Sequence, residues 1–97
     1  MSDRKITNEI IDEMYELIVS VKTVEDCRDL FGDMCTNKEI EQMAQRIKAA
    51  RLLMSGKTYN QVIEETDISS ATLSRVSRCV QYGNGYSKLL KQSEGDR

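Results

Sequence analysis

The chain has no histidine, no proline and no tryptophan, and only one phenylalanine among its 97 residues. Without histidine it lacks the commonest general base and the commonest metal ligand. Its three cysteines, Cys27, Cys35 and Cys79, stand eight and forty-four residues apart, with no Cys-x-x-Cys pair to anchor a zinc set. They read as small, partly buried apolar side chains of a reducing compartment. Neither a metal site nor a cofactor nor an enzymatic activity is expected, since catalysis would have to run on carboxylates or Cys79 alone. No apolar run approaches the roughly 18 residues that a membrane span needs. The opening Met1-Ser2-Asp3-Arg4-Lys5 leads into no signal-peptide core, so the expected location is cytoplasmic.

What is present favours helix. Leu, Met, Ala, Glu, Lys, Arg and Gln dominate, and strand-favouring aromatics are scarce. The net charge of −2 hides an asymmetry, because residues 1–45 carry 11 acidic and 5 basic side chains and residues 46–97 carry 5 and 9. Between Ile68 and Lys91 stand Arg75, Arg78, Lys88 and Lys91 with no carboxylate. A local basic patch of this kind attracts polyanions whatever the total charge.

The five glycines, Gly32, Gly56, Gly83, Gly85 and Gly95, each lie where an apolar pattern stops, which makes each a candidate helix end. Ile10, Ile11, Met14, Leu17, Ile18 and Val21 recur at helical spacing after Thr7, with Glu9, Asp12, Glu13 and Glu16 on the water side. Thr23 with Asp26 opens a short helix ending at Gly32. Thr36 with Glu39 forms a capping-box pattern for the longest element, which runs to about Ser55 and should be central. Its stripe of Ile40, Met43, Ile47 and Met54 reads as core. Thr58 with Gln61 opens another short helix. Asp67, Ile68 and Ser69 turn the chain, and Ser69 or Ser70 caps a helix that ends near Tyr82. Asp67 stands where such turns often carry glycine, and Asp tolerates the left-handed region better than most residues. Tyr82 and Tyr86 flank Gly83-Asn84-Gly85 and are placed to pin the C-terminal turn.

The expectation is therefore an all-α chain of five or six helices forming one domain over 1–91. Residues 1–56 would be a dimerisation core, 57–82 a helix-turn-helix, 83–91 a short C-terminal turn or helix, and 92–97 a polar tail. The helix-turn-helix follows from two short helices joined by a three- or four-residue turn, the second opening on Ser and small residues. Val62, Ile63, Thr66, Ile68, Leu73, Val76 and Val80 would share one small core. Placing Leu73 inward points Ala71, Ser74, Arg75 and Arg78 outward or sideways. Small side chains there let the helix backbone approach the floor of a major groove. Ser70, Ala71, Ser74 and Arg78 would then approach bases, while Tyr59, Asn60, Gln61, Thr72 and Arg75 would touch the phosphate backbone.

From about Thr36 to Val80 the chain resembles the Trp repressor superfamily, and to about Leu90 the YerC/YecD group of Trp repressor-related regulators. The likeness is carried by Thr36-Asn37-Lys38-Glu39, Arg46, Leu52-Leu53-Met54-Ser55-Gly56 and above all Ser69-Ser70-Ala71-Thr72-Leu73-Ser74-Arg75. It implies an intertwined bacterial homodimer whose N-terminal helices interlock and whose two heads read double-stranded DNA as a transcription regulator. Half-sites would lie about one helical turn, or roughly 34 Å, apart.

The resemblance also implies an effector pocket at Thr36, Arg46 and Arg75, where the family holds an amino-acid corepressor. The family carries glycine just after its second arginine, and this chain has Val76. A branched side chain there overfills the space for an indole, so tryptophan is not the expected ligand; a different small effector or none remains. The residues by themselves also allow Arg46 and Arg75 to be phosphate contacts or surface ion pairs. A rival reading is a protein-interaction module that kept the fold without specific DNA binding, consistent with a sequence pI near 5.2.

Overall fold

Short hydroxylated side chains begin the helices. Thr7, Thr23, Thr58 and Ser69 each sit in extended backbone and accept a bond from the amide three residues on, satisfying a donor the first turn leaves free. Thr58 and Gln61 make the full reciprocal box, Gln61 Oε1 accepting from the Thr58 amide at 2.9 Å. The structure, a computed structural model, describes residues 6–95, with side chains through Lys91. In chain order the elements are α1 (Asn8–Ser20), α2 (Val24–Met34), α3 (Asn37–Met54), α4 (Tyr59–Thr66), α5 (Ser70–Tyr82) and α6 (Tyr86–Gly95). Among the described residues there is no strand.

One boundary departs from the glycine punctuation, one from the expected polar tail, and one glycine stop closes without a left-handed turn. α2 passes through Gly32 and ends at Met34, with Cys35 as an extended cap just before Thr36. The next start signal stops α2, and Gly32 is tolerated inside it. α6 continues beyond Lys91 to Gly95, because Gln92, Ser93 and Glu94 are polar without being helix breakers. The expected tail therefore begins in helix, and its last two residues, 96 and 97, lie outside the described residues. Gly83 caps α5 in extended backbone (φ −89°), where its lack of a side chain answers a close approach and no left-handed turn.

The end of α3 is the expected glycine stop. Gly56 sits at φ +98°, its amide donates to Leu53 O at 3.0 Å, and the Lys57 amide donates to Leu52 O at 3.1 Å. That pair of bonds is the Schellman closure, which satisfies carbonyls the last turn leaves open.

The chain divides between Asn37 and Lys38 into two compact units. The first holds α1 and α2, neither of which has a buried residue; Ile11, Ile18, Cys27, Leu30 and Phe31 are half-buried. In the second, the core joins Ala49, Ala50 and Leu52 of α3, Val62 of α4, Ile68 of the turn, Leu73 and Val76 of α5, and Leu90 of α6. Ala49 and Ala50 are fully buried on the inner face of α3. Val62, Leu73 and Val76 are the largest fully buried side chains, each contributing about 1.5–3 kcal/mol by leaving water. The leading half of the α3 stripe is less enclosed: Ile40 and Met43 are half-buried and Ile47 is exposed.

Candidate nucleic-acid interface

The unit running from α4 to α5 is a helix-turn-helix built on local rules. α4 ends at Asp67, which adopts the left-handed conformation (φ 62°, ψ 20°) and donates its amide to Ile63 O at 2.8 Å. Thr66 closes the turn from within, its hydroxyl donating to Val62 O at 2.7 Å and accepting from the Ile68 amide at 3.3 Å. Ser69 then starts α5, accepting from the Thr72 amide at 3.2 Å and donating to the Thr72 hydroxyl at 2.9 Å. Ile68 is buried between the helices, so the turn is clamped by packing as well as by hydrogen bonds. Ile63 and Val80 pack beside this core and Thr66 is half-buried, the shared cluster that their spacing predicts.

With Leu73 and Val76 inward, α5 turns Ser70, Ala71, Ser74, Arg75 and Arg78 to solvent. The exposed face therefore starts small and polar and continues into two guanidinium groups. Tyr59, Asn60 and Gln61 are exposed at the start of α4. Two of the proposed backbone contacts are partly occupied. Gln61 spends its carbonyl oxygen on the capping box, leaving its amide nitrogen for a phosphate. Thr72 is half-buried, with its hydroxyl oxygen accepting from Ser69. Both serve the start of a helix first: Gln61 in the capping box that its spacing from Thr58 marks out, and Thr72 beside the Ser69 cap.

Arg46, Arg75 and Val76 come together with Thr72, Cys79 and Tyr86 around a basin of about 460 Å³. None of these lining residues is acidic, so the basin suits an anion. Val76 is 1% exposed, a core side chain forming part of its wall. Thr36, the fourth residue assigned to a pocket, is exposed just before α3 in the first unit. Tyr86 is half-buried against the core, as expected of a pin; Tyr82 is 81% exposed and pins nothing. All three cysteines are free and half-buried.

One contact of this unit was not legible in the sequence. Gln45 of α3 donates its side-chain amide to Thr66 O, the last carbonyl of α4, at 3.0 Å. The bond spans 21 residues of sequence and belongs to no motif or periodicity.

The comparisons with known proteins agree with this geometry. The chain is 44% identical over 80 residues to the uncharacterized protein YerC of Bacillus subtilis (strain 168), covering 82% of this chain and 77% of that protein. Its fold superposes on the crystal structure of a candidate Trp repressor from Staphylococcus aureus with a TM-score of 0.86 and 34% identity, covering 97% of this chain and 95% of that one. A TrpR-like protein from Eubacterium eligens ATCC 27750 gives 0.84 and 35%, over 91% of each chain. The sequence pattern of the Trp repressor protein family runs from residue 9 to residue 94, leaving only the two ends outside it, and the chain belongs to that family.

Proposed function

We propose that the protein is a homodimeric transcription regulator that binds double-stranded DNA sequence-specifically through α4 and α5. The observation that carries this reading is the exposed face of α5. Ser70, Ala71 and Ser74 leave the helix backbone free to approach a groove floor, and Arg75 and Arg78 stand beside them within reach of guanine or phosphate. Family membership supports the same assignment. The dimer is supported by α1, an amphipathic helix with no buried residue whose Ile10, Met14 and Leu17 are 46%, 41% and 51% exposed in the single chain. Apolar side chains in that number at helical spacing are the seam of an interface. Among the described residues no helix is long and apolar enough to cross a membrane, which fits a protein working on cytoplasmic DNA.

Selection of bound duplexes from a random pool tests the reading, with competitor DNA at physiological salt. The expected product is a two-fold-symmetric motif with half-sites about one helical turn apart. Failure to enrich any duplex, in buffer and again with small-molecule cell extract, would replace it with the protein-interaction reading.

Tryptophan is not the effector in this reading. Val76 forms part of the basin wall where the family carries glycine, and its isopropyl group takes space that an indole would need there. Overfilling of that kind costs about 1–3 kcal/mol. A smaller anion is the chemistry Arg46 and Arg75 would accept. Calorimetry with tryptophan is expected to show no saturable heat at micromolar concentration.

A further inference from the structure

We propose that Gln45 is a positioning residue of the reading head: its amide bond to the Thr66 carbonyl sets the angle at which α4 and α5 stand on α3. The inference rests on the DNA-binding reading above and deepens it. α4 is only eight residues long, about 12 Å at 1.5 Å per residue. At its start it is tied to α3 by the chain itself, through the Gly56 closure and the Thr58–Gln61 box. A rod held at one end pivots, whereas a rod held at both ends has a direction. Packing of Val62 and Ile68 holds α4 against the core without direction, and Gln45 adds the directional hold at its far end.

The chemistry leaves that role open to a donor. In the last turn of α4, Ile63 O is taken by the Asp67 amide and Val62 O receives the Thr66 hydroxyl. Thr66 O points out of the helix end, where a tertiary donor can meet it. Gln45 meets it at 3.0 Å in a half-buried setting. The same side chain lines a cleft of about 340 Å³ beneath the turn with Gln42, Arg46, Asp67, Ser69 and Thr72. A hydrogen-bonded amide there ties the turn to α3. In a two-fold dimer the angle of each head decides how far apart the two α5 helices land. Gln45 thereby acts on the half-site spacing the dimer accepts, without touching DNA.

Gln45→Met keeps the length and apolar stem but cannot donate, and Gln45→Glu sets a carboxylate against the carbonyl. Residual dipolar couplings of backbone amides in the full-length protein compare the orientation of α4 and α5 with that of α3. Both variants are expected to keep their helix content while the couplings of α4 and α5 shift or scale down together. On the selected duplex, the preference for the native half-site spacing over spacings one base pair longer or shorter should fall about five- to tenfold, one hydrogen bond's worth. Affinity for a single half-site should hold, which mere loss of stability would not produce. Couplings unchanged in both variants, or an unchanged spacing preference, would overturn the proposal. Should Gln45→Met unfold, Gln45→Lys keeps a donor at similar reach and is expected to retain wild-type couplings, and their loss would equally overturn it. If the wild-type protein enriches no duplex, the DNA reading fails by itself, and the couplings still decide the tether.

Discussion

Asp67 is the one non-glycine residue among those described that adopts a positive φ. It was legible in advance because the turn between two short helices needs a left-handed residue and Asp is among the few that supply it. Replacement by Val should lower stability by about 1–2 kcal/mol in chemical denaturation, since a β-branched side chain cannot sit there without strain. Asp67→Gly is expected within about 0.5 kcal/mol of wild type, as relief of strain is offset by greater freedom of the unfolded chain. At Arg78 the question is charge. The side chain is exposed on the face opposite Leu73, and Arg78→Ala should reduce the slope of log affinity against log salt by about one if it meets a phosphate. Titrations at several salt concentrations read this directly, and an unchanged slope places the docking face elsewhere. Gln45 and Tyr82 lay beyond reach at this scale. What a long side chain touches depends on which helix passes nearby, and neither residue has a local partner that its spacing could announce.

Helix starts in this chain are chemical and helix ends are contextual. Thr7, Thr23, Thr58 and Ser69 each cap the helix that their spacing to the apolar pattern marks out, because a cap is satisfied within three residues. Glycines show the contrast. Gly32 lies inside α2 with nothing within 4 Å of where a Cβ would stand, whereas a Cβ at Gly83 would lie 2.7 Å from Cys79 O. The same substitution should therefore act in opposite directions. Gly32→Ala is expected to raise stability by up to about 1 kcal/mol through better helix propensity. Gly83→Ala should lower it by about 1 kcal/mol or more, because the bond from the Gly83 amide to Cys79 O at 2.8 Å must give way. Thermal melts of the two variants check both signs, and faster amide exchange in the last turn of α5 should accompany the second.

For the whole molecule the decisive feature is how little of the first unit is buried. Two amphipathic helices without a buried residue leave apolar surface that a second copy would cover. Introducing charge on that stripe, as in Met14→Glu with Leu17→Glu, should convert a dimer into a monomer in sedimentation and abolish binding to two-half-site duplexes. Wild type sedimenting as a monomer at micromolar concentration would remove the basis of that prediction. The sequence by itself determined the helical class, the helix starts, the left-handed turn and the inward set of Val62, Ile68, Leu73 and Val76. These depend on periodicity and on groups within four residues of one another. The resemblance implied a pocket at Arg46 and Arg75, but only the tertiary structure decided that Thr72, Cys79 and Tyr86 line it with them and that Gln45 holds the end of α4. Those relations join α3 to segments some twenty to forty residues away, and a linear pattern carries no record of which turn of one helix will lie against which turn of another.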